Sequence, residues 1–127
     1  MQLPTTQARQ LMGNNFPWID TYYNESIPKG IMPDVNKTTC IISEWINEPT
    51  YYANATFKGW SVGVEVHIFY GLKSSINSLD EEMKIARLFI ADGWTVENSR
   101  NHLKDPDTGQ VDKVFYFAKN IRLRKKD

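Results

Sequence analysis

Between residues 60 and 70 the chain alternates without a break. Trp60, Val62, Val64, Val66, Ile68 and Tyr70 are separated by Ser61, Gly63, Glu65, His67 and Phe69. Successive side chains of a β-strand point to opposite faces, so this period of two gives one apolar and one mixed face. The pattern demands a sheet with a hydrophobic core against one side, and every other segment must be arranged around that strand. At 127 residues a single core is the default, so residues 1–127 are expected to form one domain. Hydrophobic residues make up 41% and charged residues 24%, the balance of an ordinary folded domain and not of a disordered chain.

The remaining elements follow from caps, periods and turn residues. Residues 5–12 read as a short helix, with Thr5 and Thr6 as N-caps after Pro4 and a left-handed exit at Gly13-Asn14-Asn15. Its apolar residues Ala8, Leu11 and Met12 share one stripe. Residues 19–22 read as a short edge strand, limited by Pro17, and residues 38–45 as a mostly buried strand. Residues 48–57, with Pro49, Asn54 and Tyr51-Tyr52, show no sustained period and read as a loop with an exposed aromatic tip.

Ser78 and Glu81 have the spacing of a capping box, and the helix they open should stop at Gly93. Leu79, Met83, Ala86 and Ile90, flanked by Ile85 and Phe89, form its apolar stripe. Asp80, Glu81 and Glu82 read as first-turn compensation of the helix dipole. Residues 94–103 and 111–123 flank Asp105-Pro106-Asp107-Thr108-Gly109, a turn sequence, and read as a closing hairpin. Its second arm is apolar on both faces around Val114-Phe115-Tyr116-Phe117, so both faces are expected to be covered. The expectation is an α+β fold: one mostly antiparallel, mixed sheet of four to five strands with both helices on one face. The basic residues 122–127 should fray.

Few chemistries fit this inventory. Lys plus Arg and Asp plus Glu number 15 each, so no global field draws the chain to nucleic acid or an anionic surface. The basic tail reads as a solvated terminus, because no aromatic stacking platform accompanies it. No apolar run reaches the roughly 18 residues of a membrane helix. A lone cysteine and no signal-like start point to synthesis in a reducing cytoplasm, and the sequons at Asn24, Asn36 and Asn54 then read as chance.

His67 and His102 lack partners at metal-site spacing; His67 reads as a hydrogen-bonded structural residue and His102 as solvated. Cys40 reads as a small hydrophobe, and a Cys40–His67 nucleophile is the one catalytic arrangement that can be assembled. Isolated glycines form no phosphate-binding loop. Thus no catalytic, cofactor-binding or metal-binding residue is assigned, and the chain is expected not to be an enzyme.

What the inventory leaves over is aromatic. Four Trp, six Tyr and six Phe exceed what one small core readily buries. Trp18, Tyr22, Tyr23, Trp45, Tyr51, Tyr52 and Trp60 crowd strand edges and loops. They are either aromatic rims of the core or anchors of an oligomer interface.

The order of segments resembles a family of small minor tail components of siphophages infecting Gram-positive bacteria, itself of unknown function. The shared features are the short first helix, Trp18-Ile19-Asp20, Ile27-Pro28 and the strand ending near Ser43-Glu44. After these come Phe57-Lys58-Gly59 leading into residues 64–70, Gly93-Trp94, and the Asp105–Gly109 turn before Lys113-Val114-Phe115-Tyr116-Phe117. Each motif is structural and of low specificity; the combination spans most of the chain. Family members are typically encoded just ahead of the major tail tube protein and are similar to tail terminators. The resemblance therefore implies a tail-terminator-like fold and a hexameric homo-oligomeric ring on the tube, touching the major tail tube protein and the head–tail connector protein. It also implies a place in the neck of the virion tail, with assembly in the host cytoplasm and DNA at most passing through the lumen.

No functional residues carry over from the family. Trp18, Tyr22, Tyr23, Tyr51, Tyr52 and Phe57 are the ring-interface candidates read from this sequence. The alternatives are another neck or tail-completion protein, or a binding module that adds a partner strand to its sheet edge.

Overall fold

The structure, a computed structural model, describes residues 2–123. Its elements are α1 (Pro4–Gly13), β1 (Thr21–Asn24), β2 (Thr39–Ala53), β3 (Thr56–Tyr70), α2 (Ser78–Ala91), β4 (Thr95–Ser99), β5 (Leu103–Lys104) and β6 (Val111–Arg122). The fold is α+β, with one open sheet in the order β1-β2-β3-β6-β4 and β5 beside β6. The sheet has six strands, more than the four to five expected, because the second hairpin's first arm breaks into β4 and β5. Only β1–β2 is parallel; the other pairings are antiparallel.

The alternation of β3 does what its period requires. Val62, Val64, Val66, Ile68 and Tyr70 are buried on one face. Val66 stands between Ile42 of β2 and Phe115 of β6, and Val64 is registered with Phe117. Both helices close this face. Ala8 and Met12 of α1 and Ile85 and Phe89 of α2 are wholly buried in the same core. Phe89 stacks on Phe117 with centroids 3.9 Å apart and meets Trp94 edge-on at 5.7 Å.

Several expectations need correction. Residues 48–57 are not a loop: they are the distal arms of a long β2–β3 hairpin, paired out to Ala53↔Thr56. Its two-residue turn sets Asn54 and Ala55 at φ +53° and +63°, the sense that matches strand twist. Pro49 is tolerated because β1 pairs only as far as Ile42, leaving the rest of β2 an outer edge. The first strand lies at 21–24 and not 19–22; Ile19 is buried ahead of it.

In α1 neither Thr5 nor Thr6 caps. Leu3 holds the N-cap position without a side-chain bond, Pro4 takes the first helical position, and Asn14 leaves in a right-handed conformation at φ −78°. Asn77, not Ser78, caps α2, accepting a hydrogen bond from the Asp80 amide at 3.2 Å. Gly93 ends that helix at φ +95°, where a Cβ would be strained.

The buried stripe of α2 is rotated from the expected one. Glu82, Ile85 and Phe89 face inward, while Leu79, Met83 and Ile90 are exposed. The cause is polar: Glu82, only 5% exposed, accepts from Tyr70 Oη and meets His102 Nε2 at 2.7 Å. Glu82 is thus a core acceptor and not a solvated dipole charge, while His102 is exposed as expected and tethered to it from the surface. Burial first, then this carboxylate, pushes the Tyr70 phenol up. Arg122, expected in a frayed tail, pairs with Gly59 at the end of β6; residues 124–127 lie outside the described part.

Candidate assembly interface

Past the Gly59↔Arg122 pair the Leu123 amide still donates to the Lys58 carbonyl at 2.9 Å, and among the described residues β2–β3 then continues with no further partner. The part past Gly59, out to Ala53↔Thr56, therefore projects as a short two-stranded ribbon of roughly 10 Å, at about 3.4 Å per residue. Tyr52 is 70% exposed on it, and Tyr51 and Phe57 are also exposed. Phe57 packs edge-on against Trp60 at 5.3 Å. Tyr51 lies close against Gly59 and beneath the Arg122 guanidinium at 5.2 Å. The ribbon thus presents an aromatic surface stiffened at its base, with Lys58 and Arg122 supplying positive charge.

Trp18, Tyr22 and Tyr23 do not join this surface; they lie by the β1 edge. Trp18 stacks on Tyr70 at 5.9 Å and donates to Glu81 Oε2 at 3.1 Å. It is a rim of the core. Tyr22 packs against the core beneath Arg9, whose guanidinium is 5.9 Å from the ring. Its hydroxyl is buried without a hydrogen-bond partner, and burial pushes the phenol up. Tyr23, half-buried, follows Tyr22 in the strand, which turns its side chain to the other face. The six candidates therefore separate into an exposed distal group and a largely packed proximal group.

The helix-free face of the sheet carries Trp45, one of the surplus aromatics, as a packed rim. Trp45 sits at a bulge in β2 between Glu44 and Ile46, donates to the Phe117 carbonyl at 2.9 Å and meets Tyr116 edge-on at 5.4 Å. It lies so close over Gly63 that a Cβ there would come within 2.5 Å of the indole nitrogen. Val114 and Ala118 of β6 are buried on this side. The covering that the two-faced arm called for comes from side chains, with no second helical layer.

Along the same face runs a polar string. Tyr116 Oη donates to Glu65 Oε1 at 2.9 Å, Glu65 meets His67 Nε2 at 2.7 Å, and His67 Nδ1 reaches Asp112 Oδ2 at 3.3 Å. Bonding to Asp112, then to Glu65, raises the His67 pKa against the opposing effect of burial. His67 is thus held by hydrogen bonds, as its strand position leads one to expect. Only Glu65, two residues away, is a sequence-visible partner; Asp112 arrives through the β3–β6 register.

Cys40 lies wholly buried on the core face opposite Ile68, while His67 pairs with Ile41 and points to the other side. The sheet separates the two groups of the one nucleophile the sequence could assemble, and burial pushes the Cys40 thiol up. Among the described residues no cluster of three or more His, Cys, Asp or Glu is placed to hold a metal ion, and no helix is long and apolar enough to cross a membrane.

The model of a family described as "Protein of unknown function (DUF806)" matches residues 2–122. No curated protein matches the chain.

Proposed function

We propose that this chain, which belongs to the DUF806 family, is a structural subunit of a siphophage tail and acts as its terminator. Copies close into a ring, hexameric by the resemblance, that caps the tail tube, stops its polymerisation and joins the tail to the head connector. The subunit then resides in the virion neck, touching copies of itself, the tube protein and the connector, while DNA passes through the lumen without specific binding.

The observation that carries this reading is the aromatic ribbon of β2–β3, which extends past β6 among the described residues. An exposed aromatic surface on a projecting element is the composition of an interface centre. A closed ring needs two different patches on each subunit, and a projecting element supplies one of them. The α+β sheet with both helices on one face also agrees with the terminator-like architecture that the resemblance implies.

Phage lacking the protein tests the role: tails of uncontrolled length without heads are expected, whereas normal, head-joined tails would overturn it. The identity of the gene downstream separates a terminator from another neck or tail-completion protein, a tube-protein gene favouring the terminator.

A second reading, a strand-addition module, is favoured by one observation: from Ser43 onward β2 has no strand on its outer side among the described residues. It expects a monomer whose β2 amides beyond Ile42 gain protection from hydrogen exchange when an extended partner peptide is added.

A further inference from the structure

We infer that the ribbon of one copy docks into the cavity at the far end of the same two strands on the next copy, so that subunits join head to tail. This inference rests on the ring reading and names the contact that closes it.

The cavity, of about 280 Å³, opens on the helix-free face where β2 begins and β3 ends, walled by Ile41, Phe69, Ile27, Met32 and Thr108. Met32 at its mouth is 92% exposed. A dry cavity of about 150 Å³ takes up benzene, so this one has room for a single aromatic ring with adjoining atoms. Of the exposed rings at the opposite end of the strands, Tyr52 is the most exposed at 70%, with Phe57 beside it and Tyr51 held under Arg122.

Charge selects this acceptor. Among the residues lining the cavity, Asp105 is the only charged one; among residues 49–59, Lys58 is the only charged one. The polar string with Asp112 and Glu65 adjoins the cavity through His67, which stacks on Phe69 at 6.0 Å. Arg122 stands at the ribbon's base. A basic aromatic donor thus faces an acidic apolar acceptor. Another apolar hollow, between Leu3, Trp60, Val62 and Ile121, has no charged residue among its described lining and lies at the ribbon's own end of the sheet. Docking there would pair ribbons symmetrically and stop at a dimer, whereas donor and acceptor at opposite ends of the strands make a contact that propagates until it closes.

Cysteine cross-linking of the full chain at high concentration tests this, because Cys40, the only native thiol, is buried. With a short bismaleimide, the double variant Tyr52→Cys/Thr108→Cys should give a ladder of oligomers. A mixture of the two single variants should give dimers containing one of each. Tyr52→Cys cross-linking to itself, or no intermolecular product, would overturn the inference. As a second readout, Lys58→Glu or Asp105→Lys alone should lower the yield about two- to fivefold, the worth of an exposed ion pair. Mixing a Tyr52→Cys/Lys58→Glu chain with a Thr108→Cys/Asp105→Lys chain should restore it. Absence of both the losses and the rescue would count against the charge pairing that selects this acceptor. If cross-linking fails while phage lacking the protein still show defective tails, the docking geometry falls and the terminator role stands. Normal tails together with a clear ladder would instead uphold the docking geometry and overturn the terminator role.

Discussion

Gly63 is the residue where the helix-free face has least room. The indole of Trp45 crosses β3 there on its way to the Phe117 carbonyl. Gly63→Ala should cost about 1–3 kcal/mol, the usual penalty of forcing a methyl into a packed site. Denaturant unfolding reads it, and Trp45→Ala in the same chain should cost less than the sum of the two single changes. His67 gives a prediction of a different kind. Its pKa is raised by Asp112 and Glu65, so its contribution is fully present below its unfolded value of about 6.5 and is lost as pH rises through the higher folded value. Thermal unfolding of His67→Gln should therefore show its largest deficit against the native chain in mildly acid buffer. The gap should shrink as pH rises above neutrality.

Among the elements, α2 separates what periodicity can and cannot tell. The position of the helix and its stop at Gly93 are legible because acidic first-turn residues and a glycine exit are local chemistry. Its inward face is not, because Leu79 and Ile90 fit a 3.6-residue stripe as well as Ile85 and Phe89 do. The choice is made by Glu82, whose bonds to Tyr70 and His102 turn the helix by about one residue. Phe89→Ala should consequently cost about 3–5 kcal/mol, and Leu79→Ala, at a side chain 63% exposed, within about 0.5 kcal/mol; unfolding curves of the two variants check the rotation.

The ribbon is hidden in the sequence for a related reason. Pro49 and the lack of alternation in residues 48–57 are loop signals in isolation, whereas on an edge hairpin they are permissible. Its aromatic surface, by contrast, is visible as an excess of rings over core capacity. Ala55 in the turn holds φ +63°, a conformation glycine takes without strain. Ala55→Gly should stabilise the chain by about 0.5–1 kcal/mol in unfolding assays, less any gain in unfolded-state entropy.

At the scale of the molecule, the mixed pairing and helix placement follow largely from the one alternating strand and the two amphipathic helices. The pairing of distant groups does not. Asp112 meets His67, and Trp45 meets Phe117, only after β6 is laid beside β3, a register no short spacing encodes. Tyr52→Ser/Phe57→Ser should cost the monomer about 1–2 kcal/mol, the worth of the Phe57–Trp60 and cross-strand pairs, leave it folded, and lower the mass seen by light scattering; unchanged mass would place the self-contact elsewhere.

The strand order has one more consequence, for the time at which the sheet comes into being. β6 follows every other element in sequence, yet lies between β3 and β4. During synthesis β3 therefore waits with a bare edge, and Phe89 waits for the ring of Phe117 on which it stacks. Pairings across such sequence distances close slowly. A nascent chain cut short before β6 lacks Phe115 and Phe117 from its core and Arg122 from the base of the ribbon, so the sheet is completed only when the last strand arrives.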